Sequence, residues 1–238
     1  MNETKIEWCD KTLNPVVGCS FGCPYCYARR LNTRFRWVED FSKPQFFPGR
    51  LASLKRKRPA RVFMCSMSDP ADWRLEWVAA IIHAIEESPQ HEYLFLSKRP
   101  EEYTRNFPIW RHYHGDLKNI WYGASVTRED ELCRIADLPL WGNRFVSFEP
   151  LLGPADPRRR PAKASLPWVD WAIIGAVTGP GAATRRPARE WVDEIVSCCD
   201  ETGVPVFMKD SLLPIVGEAG MRRDFPPRLM PRKEIAIP

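Results

Sequence analysis

The sequence predicts an α/β fold, an open and partial (β/α)6 barrel of the TIM-like kind, built as a single domain. Short apolar runs alternate with amphipathic stretches through the middle of the chain, which is typical of a parallel sheet with crossover helices. The apolar runs end in polar or glycine-rich residues, and parallel barrels place their chemistry at those strand ends. A length of 238 residues with 44% hydrophobic residues suits one such domain.

Each strand is predicted from an apolar run and each helix from an amphipathic stretch. The predicted strands are residues 13–18, 61–66, 93–96, 120–125, 144–148, 169–175 and, as a seventh candidate, 204–208. The predicted helices are 27–37, 71–87, a short one from Pro100, 129–136, and 188–201 with Gly203 as its C-cap. Residues 1–212 then form the barrel, and 213–238 form a Pro-rich tail packed on or near it.

The composition argues against two classes of protein. No stretch approaches 18 consecutive apolar residues, so we expect no membrane span. The first five residues contain no apolar signal region, so we expect a cytoplasmic protein whose eight cysteines stay reduced. We also expect a monomer, with a mild net charge of +5.

Three cysteines stand close together, Cys19, Cys23 and Cys26, with three and then two residues between them. A [4Fe-4S] cluster has four irons, and three thiolates from one loop would leave the fourth iron open. Structural zinc is the first alternative, but zinc usually takes paired Cys-x2-Cys knuckles or Cys/His sets, and no His precedes His83. Inert thiols remain open as well, and a disulfide loop is the weakest alternative because three clustered cysteines cannot all pair.

The five other cysteines are too scattered to predict a second cluster. Buried free thiols, packed as small apolar side chains, explain them better. They are Cys9, Cys65, Cys133, Cys198 and Cys199.

The spacing of the three cysteines, with Tyr25 before the third, resembles the signature of the radical S-adenosylmethionine (radical SAM) superfamily. The resemblance implies that S-adenosylmethionine chelates the open iron through its amine and carboxylate. It also implies an external one-electron reductant, such as flavodoxin or ferredoxin, whose electron splits the sulfonium to give a 5'-deoxyadenosyl radical.

The order of the further motifs resembles spore photoproduct lyase, and still more a short, phage-associated radical SAM family. The matching stretches are residues 6–8, 14–19, 23–28, 66–69, 97–100, 147–154 and 178–182. The first resemblance implies that Ser68, Lys98 and Ser125 contact the cofactor. The second implies the host cytoplasm as the location, if the chain is phage-encoded.

The polar groups at the strand ends match the parts of S-adenosylmethionine. Asp69 can accept from the amine, Lys98 suits the carboxylate and Ser125 the ribose. Simpler interpretations stay open: the serines can be strand-end caps, and Asp69 can be a helix N-cap. The predicted cofactor set is Tyr25, Tyr27, Ser66, Ser68, Asp69, Lys98, Ser125 and Gly175, with Tyr25, Tyr27 and Gly175 on the adenine side.

Clustered basic residues make DNA the expected partner. Residues 50–61 contain six cations and no acid, and Phe46 and Phe47 lie beside them. Cations for phosphates and aromatic rings for bases are typical of nucleic-acid surfaces, although a solvated loop is the simpler interpretation. The predicted DNA contacts are Arg50, Lys55, Arg56, Lys57, Arg58, Arg159, Arg185 and Arg186.

The leading hypothesis is a radical enzyme that rearranges a hypermodified thymine carrying an amino-acid-like group, with a base extruded from the duplex. Glu149 is the candidate for moving a proton, Lys209 for holding a carboxylate or phosphate, and Cys65 for donating hydrogen. A repair lyase for thymine photoproducts, a radical enzyme acting on a peptide or small metabolite, and a non-enzymatic metal-binding module are the alternatives.

Overall fold

The computed structural model describes residues 1–105, 118–159, 169–179 and 181–229. Its fold is mixed α/β, and its eight-stranded main sheet has the strand order β1-β2-β5-β6-β7-β8-β9-β10. The described residues form two compact units. Unit one contains 1–97, 102–105 and 118–121, and unit two contains 98–101, 122–159, 169–179 and 181–229.

Unit one carries the first strands and the longer helices of the N-terminal half. Its strands are β1 (Asn2–Glu3), β2 (Lys11–Thr12), β3 (Val16–Val17), β4 (Gln45–Phe46), β5 (Arg61–Phe63) and β6 (Glu92–Ser97). Its helices are α1 (Tyr27–Phe35) and α2 (Leu75–Glu86). Strand β1 runs antiparallel to β2, whereas β2, β5 and β6 are parallel.

Unit two repeats the parallel pattern. Its strands are β8 (Asn143–Phe148), β9 (Trp171–Ile174) and β10 (Val206–Met208), and its helices are α4 (Cys133–Ala136), α5 (Arg189–Thr202) and α6 (Leu213–Val216). The elements α3 (Glu101–Arg105) and β7 (Ile120–Ser125) have residues in both units. Strand β9 pairs in parallel with β8 and with β10.

The C-terminal segment completes the core of unit two. The ring of Trp171 lies 5.3 Å from that of Phe225, and its Nε1 donates to the Asp224 carbonyl at 2.9 Å. The backbone N–H groups of Met208 and Asp224 donate to Arg222 and Val206 across an antiparallel bridge. The described part of the predicted tail therefore packs on strands β9 and β10.

The α/β prediction is confirmed, but the predicted first strand is wrong. Residues 13–18 were expected in the main sheet, whereas the sheet takes Lys11–Thr12, and Val16–Val17 pairs with Gln45–Phe46 in a separate two-stranded sheet. Pro15 has no backbone N–H and cannot continue a strand ladder. Its carbonyl instead accepts from the N–H of Phe47 at 2.7 Å, which starts the second pairing.

Among the described residues, no helix has both the length and the apolar character needed to cross a membrane.

Candidate functional site

The cysteine loop is tied at its start to the segment that follows β5. The N–H of Gly18 donates to the Met67 carbonyl at 3.0 Å, and the N–H of Cys19 donates to the Phe41 carbonyl at 2.7 Å. Ser20 donates from its backbone N–H and its hydroxyl to the two carboxylate oxygens of Asp72, at 2.8 and 2.6 Å. These bonds fix the backbone from which the three thiols project.

Gly18 is the position in this loop that tolerates substitution least. Its φ is +112°, and a Cβ would lie 2.9 Å from Pro44 Cα and 3.0 Å from the Phe41 carbonyl oxygen. Both contacts are backbone atoms, which cannot move aside as a flexible side chain does. Backbone strain and steric overlap therefore act together at this residue.

We expect Gly18→Ala to lower the free energy of unfolding by about 3 kcal/mol, measured by urea denaturation. Gly49→Ala is the matched control, because nothing lies within 4 Å of its added methyl group. Equal stability of the two variants would contradict this account of the loop.

Two of the three thiols accept backbone N–H groups. Cys26 is the N-cap of α1, and its Sγ accepts from the N–H of Arg29 at 3.3 Å. The N–H of Phe21 points in the same way at the sulfur of Cys19. Backbone N–H donors therefore face the sulfurs of Cys19 and Cys26.

Cys19 and Cys26 lie at the edge of a small apolar cluster, and all three thiols of the loop are half-buried. Burial is the main reason that the pKa of Cys19 is raised to about 12; the carboxylates of Asp69 and Asp72 act in the same direction, and the Phe21 N–H opposes them. Without a metal this thiol is protonated at neutral pH, and metal binding would have to displace its proton.

Within the described residues, no group of three or more His, Cys, Asp or Glu side chains is gathered to hold a metal ion. The zinc alternative therefore gains no support from this part of the chain. Thiolates that bind three separate irons of a cluster need not converge on one point.

The predicted cofactor residues of unit one form a hydrogen-bonded group near the loop. Asp69 is buried, and its Oδ1 accepts from the N–H of Ala71 at 3.0 Å and from Ser97 Oγ at 2.6 Å. It is thus an N-cap, the simpler of its two interpretations. Ser68 Oγ accepts from Trp73 Nε1 at 3.1 Å.

Asn14 is a residue of this group that the sequence reasoning missed. Its amide exchanges hydrogen bonds with Ser66 Oγ at 2.9 and 3.1 Å and accepts from the N–H of Met67 at 2.9 Å. Tyr27, 45% exposed, donates its hydroxyl to the Ser66 carbonyl at 2.6 Å. Asn14 stood inside the predicted first strand and was given no role of its own. Tyr25, another residue predicted on the adenine side, is half-buried.

A second polar group lies in unit two, where β7, β8 and β10 end. Lys98 Nζ donates to Ser125 Oγ at 2.7 Å, and Ser125 Oγ donates weakly to the carbonyl of Glu149 at 3.4 Å. The carboxylate of Glu149 forms an ion pair with Lys209. The side chains of that pair are only 25% and 15% exposed, so solvent screens their attraction incompletely.

Gly175 provides space for the ion pair. A Cβ at this residue would lie 3.0 Å from Lys209 Cδ and 3.1 Å from Glu149 Cγ. Its carbonyl accepts from Leu151 at 2.9 Å, and its N–H donates to Phe148 at 3.1 Å. The structure thus places Gly175 beside the two candidate catalytic side chains, and its predicted contact with adenine stays a prediction.

Cys65 lies in the core and makes both of its sulfur contacts with Leu96. The Leu96 N–H donates to the sulfur at 3.1 Å, the thiol donates to the Leu96 carbonyl at 3.5 Å, and burial raises the pKa of the thiol well above its ordinary value. A thiol so enclosed matches the packing interpretation of the scattered cysteines. Cys9, Cys198 and Cys199 are also buried, but the prediction is wrong for Cys133, which is exposed.

About half of the predicted DNA-contacting cations already have partners. Arg50 donates to the Asn14 carbonyl at 2.7 Å, Lys55 pairs with Glu87 at 3.6 Å, and Arg159 pairs with Glu129 at 3.2 Å. Arg185 donates to the Gly181 carbonyl at 3.4 Å. The exposed remainder is Arg56, Lys57, Arg58 and Arg186.

A family model described as a protein of unknown function (DUF5131) matches residues 3–212. The chain belongs to that family. No curated protein and no solved structure matches the chain. The match covers the cysteine loop, both polar groups and the segment 50–61.

This membership corrects the resemblance drawn from the motifs. The expected family was the radical SAM superfamily and, within it, the short phage-associated family near spore photoproduct lyase. The family that matches is instead one of unknown function, and nothing in the comparisons points to that superfamily. Short motifs, even several in order, were too permissive to decide the family.

Proposed function

We propose that this protein is an iron–sulfur enzyme that uses S-adenosylmethionine to modify a base in DNA. The observation that carries the proposal is the loop of Cys19, Cys23 and Cys26, in which two sulfur atoms accept backbone N–H groups. Hydrogen bonds to cysteine sulfurs are one of the means by which proteins tune iron–sulfur clusters. The proposal rests on these residues and not on membership of a known enzyme family.

Bound to these three thiolates, a [4Fe-4S] cluster would leave one iron open to S-adenosylmethionine and supply an electron, received from an external reductant, for cleaving its sulfonium. The protein's own part is to hold the sulfurs. In helix α1 the N–H of Arg29 donates to the sulfur of Cys26, and the bonds of Ser20 to Asp72 fix the other side of the loop.

The groups proposed to bind S-adenosylmethionine differ in their exposure and in the hydrogen bonds that they already make. Tyr27 is exposed and offers a ring face for adenine, while Asp69 holds a cap and supplies a carboxylate, the acceptor that an amine needs. In unit two, Lys98 beside Ser125 offers a cation next to a hydroxyl, which suits a carboxylate and a ribose. The finer fold, a partial (β/α)6 barrel with these groups at its strand ends, is part of the same proposal.

The substrate proposed is a thymine base carrying an amino-acid-like group, and the reaction is a rearrangement of that group. In the Glu149–Lys209 pair, the carboxylate would take and return a proton, and the ammonium would hold a substrate carboxylate. A pair that is mostly buried can do both, because each side chain holds the other in a defined position.

Nucleoside analysis of phage or host DNA tests the proposal. The DNA is digested to nucleosides, which are separated by liquid chromatography and identified by mass spectrometry. We expect the full chain to convert one thymidine derivative into an isomer of equal mass and different retention. A variant with alanine at Cys19, Cys23 and Cys26 should leave the nucleosides unchanged. Identical nucleoside profiles with and without the active chain would overturn the DNA proposal. Turnover of a peptide or small metabolite would instead favour a radical enzyme acting on that substrate.

A further inference from the structure

Exposed aromatic rings are confined to one short segment of the described chain. Phe21, Tyr27, Phe35 and Trp37 are 38%, 45%, 52% and 42% exposed, and all four lie within residues 21–37. Every other aromatic side chain of the described residues with an assigned exposure is buried or half-buried. Exposed rings next to one another mark an interaction surface more often than scattered ones do.

The same segment carries four exposed arginines. They are Arg29, Arg30, Arg34 and Arg36, and residues 27–38 contain no acidic side chain. Within the described parts of the chain, no ion pair neutralises any of them. Arg34 lies 5.1 Å above the ring of Phe35, so cation and ring form one composite face.

The end of α1 holds this face in a fixed conformation. Helix α1 stops at Phe35 because Arg36 takes the left-handed conformation, with φ of 49° and its N–H donating to Asn32 O at 2.7 Å. The buried Asn32 amide donates to the Val38 carbonyl at 2.9 Å and accepts its N–H at 3.0 Å. A non-glycine residue at positive φ is uncommon and is retained only where the surroundings impose it.

The turn brings two of the exposed rings together. Phe35 and Trp37 stack with centroids 5.1 Å apart and an interplanar angle of 25°. The turn therefore presents two stacked rings to solvent on one side of the helix end.

We propose that residues 29–37, here named the arginine–aromatic surface, bind a single-stranded stretch of nucleic acid. Unpaired arginines attract phosphates, and stacked rings receive bases, whose π-faces are alike for every sequence. The inference rests on the proposed function for its substrate class. It places the main contact with nucleic acid at α1 instead of at segment 50–61. In segment 50–61, Arg50, Lys55 and Arg61 already have partners in unit one.

A lipid surface is the alternative that basic and aromatic residues also suit. A helix that lies in a membrane presents its apolar face to lipid. In α1 the residues of that face, Ala28 and Leu31, pack against Val17, Val38, Phe41 and Met67 instead. The exposed face is dominated by arginine, which favours a polyanion with bases.

Fluorescence anisotropy of a labelled 20-nucleotide thymidine oligomer, measured over a salt series with the full chain, tests the inference. We expect Arg30→Gln with Arg34→Gln to lower the dependence of log affinity on log salt by about 1.4, the value for two lost phosphate contacts on a single strand. The charge-matched control, Arg74→Gln with Arg189→Gln, removes two exposed arginines that already pair with acidic side chains, and it should leave that slope unchanged. Equal effects of the two variants would overturn the inference.

The rings are tested separately from the charges. Phe35→Ala with Trp37→Ala should weaken binding about 10-fold or more without changing the salt slope, and Trp37→Phe, which keeps a ring, should retain most of the affinity. Undiminished binding by the double alanine variant, or binding of phosphatidylserine vesicles but not of the oligomer, would overturn it. Because binding needs no turnover, an unchanged nucleoside profile would defeat the proposed reaction and leave this result standing.

Discussion

We expect the replacement of Cys19, Cys23 and Cys26 together by alanine to abolish both iron binding and the cleavage of S-adenosylmethionine. The three thiols are the soft ligands of one loop, and no other loop of the described chain supplies a comparable set. Iron and sulfide per chain after anaerobic reconstitution measure the first effect, and 5'-deoxyadenosine measures the second. Cys133→Ala, which removes an exposed thiol outside the loop, should bind as much iron as the unaltered chain.

Cys26 allows the ligand role to be separated from the structural one. Its sulfur caps α1, and serine at this position would supply an oxygen for the same cap. We therefore expect Cys26→Ser to keep the stability of the chain but lose iron, whereas Cys26→Ala loses iron and about 1 kcal/mol of stability. Full iron content in Cys26→Ser would contradict the assignment of this thiol.

The second large effect is expected at the Glu149–Lys209 ion pair. Glu149→Gln leaves the ammonium of Lys209 mostly buried without its partner, so the free energy of unfolding should fall by about 2 kcal/mol. Turnover should fall about 100-fold or more, because the proton-transferring carboxylate is gone. Urea denaturation and nucleoside analysis measure the two losses.

A double variant distinguishes structure from chemistry at this pair. Glu149→Gln with Lys209→Met removes both charges and should recover much of the lost stability without recovering turnover. Gly175→Ala should act in the same way on turnover, since its methyl group would press on both side chains. Near-normal turnover in the double variant would show that the pair is only structural.

The sequence predicted the sheet best where a strand is long and apolar. Residues 120–125 were predicted as a strand with the bounds that β7 has, and Gly203 caps α5 as expected. The first strand failed because apolar content alone could not show that Pro15 diverts the chain to a second pairing. Such a change depends on a distant partner, Phe47, which local pattern cannot supply.

The sequence predicted which residues belong to the candidate site better than it predicted which of them contact each other. Lys98 with Ser125 and Glu149 with Lys209 were each named as single residues, and the structure shows them as bonded pairs. Asn14 and the arginines of α1 were missed. A buried amide that bonds to backbone has no spacing signature, and the importance of Arg30 and Arg34 emerges only once their lack of acidic neighbours is known.

The most direct measurement is the release of 5'-deoxyadenosine when the reconstituted full chain is given S-adenosylmethionine and a strong one-electron reductant without oxygen. The account predicts its formation by the unaltered chain and by Cys133→Ala, and none by the variant lacking Cys19, Cys23 and Cys26. A chain that binds iron at these thiols yet releases no 5'-deoxyadenosine, with or without DNA, would contradict the central claim.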